Sequence, residues 1–305
     1  MALLRSRMTL RNLHLIDAIE REGNLVRAAQ ALNMSQSAVT KALQEVEAGV
    51  GCSLFRRTNR GVASTPYGTV LAAHARVVLT QLDHAEQELS NLRDGASGTV
   101  TVGTLLAASV SLLPKAIAQV RSERPGLTVR TVEGPNAMLM PLLRQGALDM
   151  VVGRLPVYRQ RDGIAQERLR DDQAAIVVRR DHPLAQLADP ALADLLSWDW
   201  ILPPEDTTMR RQIDETFRQS GMQAPVSGVE TLSVLITRDL LLNTDMLAIW
   251  PAEVARAEEA HGIVTMLPFD LSHTRRPVGI STRVGGRLSP AAEVLITALR
   301  NLAVP

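Results

Sequence analysis

Apolar residues recur at helical spacing near the start of the chain, where Leu10, Leu13, Ile16 and Ile19 share one face and stop at Gly23. That pattern predicts a first helix punctuated by glycine. Asn24 can cap a second helix with Leu25, Ala28, Ala29 and Leu32 inward, and a third runs from Ser35 to about Val50. Only Asn33-Met34 separates these two. Helices joined so tightly cross steeply, which requires a small residue at the crossing and a turn residue that tolerates a left-handed backbone. Ala29 and Asn33 meet those demands, Met34 plugs the junction and Val39 packs back from the third helix. The spacing is that of a helix-turn-helix, although an ordinary helical hairpin shares the apolar pattern.

The polar side of the third helix decides between them. Ser35, Gln36, Ser37, Thr40, Lys41 and Gln44 gather short hydrogen-bonding side chains and one cation, where a merely solvated face favours Glu/Lys pairs. Gln36 near the helix start can read base edges in a major groove, and Thr40 and Lys41 can reach bases or phosphates. Ser35 and Ser37 suit backbone contacts, with Ser35 equally suited to be the N-cap. Leu54-Phe55 is followed by Arg56-Arg57-Thr58-Asn59-Arg60-Gly61 and a short extended run, Val62-Ala63-Ser64. It reads as a wing whose Arg57 and Arg60 lie along the minor groove and phosphates.

Thr65 can cap, and Pro66 open, a long helix reaching about Arg93. Its Leu71, Ala75, Val78, Leu82, Ala85, Leu89 and Leu92 alternate steps of four and three, the seam of a shallow coiled coil. A homodimer interface is favoured over a helix lying on its own domain. Two recognition helices held this way engage two half-sites of a pseudo-palindromic double-stranded DNA.

From Thr99 onward strands alternate with helices: Thr99–Gly103, helix Leu112–Ser122, Leu127–Glu133, helix Ala137–Gln145 and Asp149–Gly153. That order predicts parallel sheet with right-handed crossovers. A second set occupies about residues 165–268: strands Ala174–Val178, Trp200–Leu202, Met246–Trp250 and Val264–Leu267, and helices after Thr207 and Thr231. Pro277–Arg283 then reads as a strand and Ser289-Pro290 starts a last helix. The fold class is α/β, divided into residues 1–65, a linker helix 66–93 and a domain 94–305. In that domain lobe I is about 99–154 plus 276–305, lobe II about 165–268, and the crossings fall near 154–168 and 268–276. A cleft between the lobes collects Thr104, Leu105, Pro135, Asn136 and Arg154 from one side and Thr207, Thr208 and Ser233 from the other. Helix capping explains the Thr, Ser and Asn residues as well as ligand contact does. Arg154 suits a ligand carboxylate or a surface salt bridge.

Charge sharpens the division. Residues 1–65 hold nine basic against five acidic side chains in a chain whose net charge is only +1, the footprint of a nucleic-acid binder. The first residues lack an export signal and no run of about 18 apolar residues occurs, so a cytoplasmic protein without membrane contact is expected. The lone Cys52 reads as a small buried hydrophobe rather than a reactive thiol, and the six histidines have no metal-ligand spacing. With no phosphate loop, nucleophile elbow or metal cluster, an enzyme is not expected, and neither is a cofactor. The rival is a solute-binding or sensor module without promoter recognition, which would have no use for residues 1–92.

The string LVRAAQALNMSQSAVTKALQEVEAGVGCSLFRRTNRGVASTPYG resembles the DNA-binding signature of the LysR family of bacterial regulators. Arg27-Ala28-Ala29, Ser35-Gln36, Leu54-Phe55 with Arg57, and Thr65-Pro66-Tyr67-Gly68 carry the likeness. Ser37 stands where proline is usual, and Ala63-Ser64 replaces a more apolar approach to Thr65. The stretches LLPKAIAQVRSERPGLTVRTVEG and LLRQGALDMVVGRLP extend the resemblance over essentially the whole chain. DWILPPEDTTMRR with VVGRLP resembles the branch of galactose-binding-protein and protocatechuate-pathway regulators. The resemblance implies a winged helix-turn-helix, a linker helix and a two-lobed effector domain of periplasmic-binding-protein type. It adds Arg27 to the DNA-binding residues and implies a small-molecule effector, anionic or a sugar, a homotetramer and contact with RNA polymerase.

Overall fold

A computed structural model describes residues 8–58, 61–93, 98–156 and 162–303, apart from the side chains of His84, Gln87, Glu88 and residues 90–93. The chain divides into two compact units, the first made of residues 1–98 together with Arg144–Ala147 and the second of the rest of the chain from Thr99.

The first unit opens with α1 (Leu10–Glu22), α2 (Leu25–Ala31) and α3 (Gln36–Val50). Gly23 ends α1 in the left-handed conformation, and the Asn24 side chain accepts the N–H groups of Val26 and Arg27 to cap α2. Asn33, at φ 52°, is the one non-glycine residue with positive φ among those described, so the tight turn before α3 has the expected chemistry. Ile16, Ile19, Ala28, Val39 and Leu54 form the centre of a core that Leu25, Leu32, Met34 and the half-buried Cys52 complete. The basic hairpin is β1 (Phe55–Thr58) paired antiparallel with β2 (Gly61–Ser64). Val62 N–H donates to the Gly23 carbonyl, and a Cβ on Gly61 would lie 2.4 Å from that oxygen, so only glycine lets the wing approach α1. The long helix α4 (Pro66–Arg93) follows; a Cβ on its Gly68 would lie 1.9 Å from the Leu54 carbonyl oxygen.

The second unit holds two five-stranded sheets. Lobe I contains β3 (Thr99–Thr104), α5 (Leu106–Ser109), α6 (Leu112–Glu123), β4 (Thr128–Glu133), α7 (Asn136–Gln145), β5 (Met150–Arg154) and β6 (Ile164–Asp172). Lobe II contains β7 (Ala174–Arg179), β8 (Trp200–Leu202), α8 (Thr208–Gln219), β9 (Ser227–Glu230), α9 (Val234–Asn243), β10 (Leu247–Pro251), α10 (Ala252–Ala260) and β11 (Val264–Met266). The chain then returns to lobe I with β12 (Arg276–Arg283) and α11 (Pro290–Ala303). The sheet orders are β4-β3-β5-β12-β6 and β11-β7-β10-β8-β9.

Two expectations need correction. Residues 164–172 belong to the sheet of lobe I, because β6 pairs along its length with β12, so the first crossing is at Gln173 rather than across 154–168. The parallel sheet is confined to β4-β3-β5 and β10-β8-β9. The antiparallel strands β6, β7, β11 and β12 are the ones that lead into or out of the crossings. Each lobe has its own core. In lobe II the Trp200 and Phe217 rings meet edge to face at 6.0 Å, and a buried Phe side chain is worth about 1.5–3 kcal/mol. No helix among the described residues is long and apolar enough to cross a membrane.

Candidate functional site

The third helix is amphipathic in a way that sorts its residues by role. Val39, Leu43 and Val46 are buried, whereas Ser35, Gln36, Ser37, Lys41 and Gln44 are exposed on the other side. Ser35 is the N-cap: its Oγ accepts the Ala38 N–H at 3.2 Å and shares a 3.0 Å hydrogen bond with Ser37 Oγ. Thr40 is half-buried and donates its hydroxyl proton to the Gln36 carbonyl at 2.9 Å, which leaves its oxygen free to accept. Lys41 Nζ lies 4.0 Å from Glu45 in an exposed pair worth too little to hold it from a phosphate. Arg27 is also exposed, and its Nη2 donates to the Glu22 carbonyl at 2.5 Å, closing the end of α1. On the wing Arg56 and Arg57 are exposed; Arg60 lies outside the described residues.

The seam on α4 splits. Ala75 is fully buried and Leu71 half-buried within their own unit, where α4 lies on α1 and Arg76 pairs with Asp17 at 2.8 Å. These two positions are therefore spent inside the chain, and the dimer reading is corrected for them. Val78, Leu82, Ala85 and Leu89 are exposed, Leu89 to 67 %. The side chain of Leu92 is outside those described.

Between the lobes lies a cleft of about 580 Å³. Leu105, Pro135, Asn136 and Arg154 line it from lobe I, and Thr207, Thr208 and Ser233 from lobe II. Thr104 does not. It follows Val100 and Val102 at even spacing on β3, so the strand's alternation turns it into the fold, where it is 4 % exposed. Arg211, Arg276 and Trp250 also line the cleft. Arg211 lies within α8, whereas Arg276 opens β12 and Trp250 stands at the end of β10, positions to which the rule of strand ends and helix starts applied but from which they were not picked out.

Most polar groups here already have partners. Thr207 Oγ1 accepts the Arg210 N–H and Ser233 Oγ accepts the Ile236 N–H, each at 3.3 Å, so both cap their helices. Thr208 accepts from Arg211 at 3.2 Å, and Asn136 Nδ2 donates to the Arg154 carbonyl at 3.0 Å. Arg154 is in a buried ion pair, not a surface one: its Nη2 lies 3.0 Å from Asp172, with side chains 12 % and 3 % exposed. Its Nε and Nη1, and Asn136 Oδ1, are buried without a hydrogen-bond partner. The other Asp172 oxygen accepts the Glu253 N–H at the start of α10, at 3.3 Å. Glu253 in turn receives the Ser111 hydroxyl at 2.5 Å and lies 3.5 Å from Arg170, both in lobe I. Ser111 precedes α6 without capping it, its side chain being turned to the other lobe. Burial pushes the Glu253 carboxyl up, but the Ser111 hydrogen bond and the charges of Arg170, Arg256 and Lys115 outweigh it and hold it below the usual glutamate range.

Residues 10–69 match the family model described as bacterial regulatory helix-turn-helix protein, lysR family, and residues 93–303 match the LysR substrate binding domain. The chain is 33% identical over 298 residues to the HTH-type transcriptional regulator GbpR of Azospirillum brasilense, covering 97% of this chain and 87% of that one. It is 32% identical over 297 residues to the HTH-type transcriptional regulator PcaQ of Agrobacterium fabrum, covering 97% and 96%. Its fold is similar to that of full-length CbnR complexed with its target DNA, with a TM-score of 0.67, 20% identity, and coverage of 96% of this chain and 99% of that one.

Proposed function

The chain belongs to the LysR family of DNA-binding transcriptional regulators with an effector-binding domain, rather than to a class of enzymes, and from that premise we propose how its residues divide the work. Helix α3 enters the major groove. Gln36 reads base edges, Thr40, Lys41 and Gln44 reach bases or phosphates, Ser35 and Ser37 touch the backbone, and the wing carries Arg57 and Arg60 along the adjacent phosphates. Helix α4 joins two chains through Val78, Leu82, Ala85 and Leu89, and two such dimers form a tetramer on a pseudo-palindromic site. A small acid occupies the cleft, favoured over a sugar by Arg154, Arg211 and Arg276 in its walls. Occupancy shifts the angle between the lobes, re-spaces the DNA-binding dimers and changes access for RNA polymerase.

One observation supports this reading above the rest: α3 buries its apolar residues and leaves the Gln36 side as an exposed strip of short polar groups beside a basic hairpin. Selection of bound duplexes from a random pool tests it. A pseudo-palindrome with half-sites spaced by roughly 10 base pairs or a multiple is expected, and a pool that retains no enriched sequence would sink it. Footprints of the selected site, with and without saturating small carboxylic acids, test the second half. Identical protection under every acid that raises the melting temperature counts against the coupling.

A further inference from the structure

Glu47 stands in the last turn of α3, where the carbonyl ends of the helix disfavour a carboxylate and where no basic side chain compensates it. It also adds negative charge to a unit that has to approach phosphates. Its contacts explain the placement. Oε1 accepts the N–H of Leu54 at 2.7 Å and of Phe55 at 3.1 Å, spanning the turn from the end of α3 to the first residue of β1. Both residues are buried, Leu54 completely, so these two donors would be orphaned inside the fold without it. The second strand of the wing is tied elsewhere, by Val62 N–H on the Gly23 carbonyl and by Ser64 on Glu20, both belonging to the α1 side. Glu47 ties the first strand to the recognition helix itself.

We propose that Glu47 is a positioning residue for DNA binding: it fixes the wing against α3 so that Arg57 meets a phosphate while Gln36 meets a base edge. This rests on the reading of Arg57 given above. One carboxylate oxygen holding two successive N–H groups sets both the distance and the direction of β1 as it leaves the turn. Arg57 is two residues farther along that strand and exposed. A wing anchored through β2 alone still folds but no longer brings its arginine to the register that α3 sets.

The test uses the full-length protein on the selected duplex, with the active fraction fixed by stoichiometric titration and affinity followed from ~50 to ~200 mM salt. Arg57→Ala lowers the slope of log K against log salt by about 0.9, the loss of one phosphate contact. Glu47→Ala lowers it by the same amount, and the double variant Glu47→Ala/Arg57→Ala by no more than either single one. Glu47→Gln, whose amide oxygen still accepts both N–H groups, restores the wild-type slope. Glu47→Ala combined with Gln36→Ala is additive. A Glu47→Ala protein that is fully active in titration yet keeps the wild-type slope, or that adds to Arg57→Ala, overturns the proposal. Should Glu47→Ala not fold, Glu47→Asp, one methylene too short to reach both donors, takes its place with the same expected loss of slope. If Arg57→Ala alone leaves the slope unchanged, the wing reading falls and this inference with it; if only the Glu47 variants leave it unchanged, this inference alone falls.

Discussion

The strip on α3 and the cleft between the lobes treat their polar side chains in opposite ways. On α3 the groups assigned to DNA are exposed and lightly engaged: Gln36, Lys41 and Gln44 stand in solvent, and Ser35 and Ser37 bond chiefly to each other and to one amide. In the cleft nearly every candidate group is already committed, Thr207 and Ser233 to helix ends, Asn136 to a carbonyl and Arg154 to Asp172. The difference follows from where each partner comes from. A duplex brings its own donors and acceptors to an open face, so the protein keeps matching groups free at backbone-set spacing. A cleft between two lobes is walled by buried sheet ends, and most polar groups there are satisfied before any ligand arrives, with Arg154 Nε and Nη1 and Asn136 Oδ1 the exceptions. Apart from the N-cap Ser35, substitution on the strip should therefore change binding and spare stability, whereas substitution in the cleft should cost stability first.

Arg154→Ala gives the largest effect. It strands Asp172, whose side chain is 3 % exposed, and removing one partner of a buried pair costs about 3–5 kcal/mol. All three tryptophans, Trp198, Trp200 and Trp250, lie in lobe II, so urea unfolding followed by their fluorescence reports this unit directly. A loss under about 1 kcal/mol would erase the contrast. Arg154→Ala/Asp172→Asn should be less destabilised than the single variant, because no uncompensated charge remains.

Gln36→Ala comes next, on the other side of the comparison. Discrimination between the selected site and single-base variants should fall by about 1–3 kcal/mol in competition titrations, with the unfolding of the full-length protein followed by far-ultraviolet circular dichroism unmoved. Arg57→Ala should instead weaken binding to all duplexes alike. A Gln36→Ala protein that keeps its ranking of sites would take the base-reading role away from that residue.

How far the sequence revealed each region has the same physical root. The first unit was legible almost residue by residue: Gly23, Asn24, Asn33, Ser35 and Thr65 end or begin elements through contacts a few residues away, which spacing alone can express. The wing's tie to α3 was not, since nothing in the spacing says that Glu47 faces two amides seven and eight positions on. In the second unit the strand β6 escaped because Ile164–Asp172 is an edge strand carrying Glu167, Arg168, Arg170 and Asp171, with no clean alternation of apolar residues. Thr104 was misplaced because β3 runs one residue beyond Gly103 and keeps it inside the strand. The Arg154–Asp172 pair depends on sheet order, with β12 lying between β5 and β6, and the Ser111–Glu253 bond joins residues 142 apart. On α4 the heptad pattern does not specify which surface each position covers, and Ala75 is taken by its own unit.

The caps provide a finer test of the contrast. Thr207→Ala and Ser233→Ala should each lower the stability of the second unit by about 0.5–2 kcal/mol, the usual worth of an N-cap, whether or not a ligand is present. Ser37→Ala, which removes no cap, should leave stability within about 0.5 kcal/mol and act on DNA affinity alone. Equal losses of stability at Ser37 and Ser233 would mean that the strip is as structurally committed as the cleft.

The smallest effect lies at the link between the lobes and is a matter of pH. The Glu253 carboxyl is held below its ordinary value in the folded protein, so the folded state binds that proton more weakly than the unfolded chain does. Its contribution is therefore complete above the ordinary glutamate pKa of about 4.3 and disappears as pH falls through the lower folded-state value. Glu253→Gln removes the charge that Arg170 and Arg256 face but leaves an oxygen for the Ser111 hydroxyl. Tryptophan-monitored urea midpoints should consequently separate wild type from Glu253→Gln at neutral pH, by less than about 1 kcal/mol for so screened a group, and converge in acid. A gap that stays constant or widens as pH falls would show that Glu253 does not join the lobes through its charge, and would leave that to the Ser111 hydrogen bond and the bond from its own N–H to Asp172.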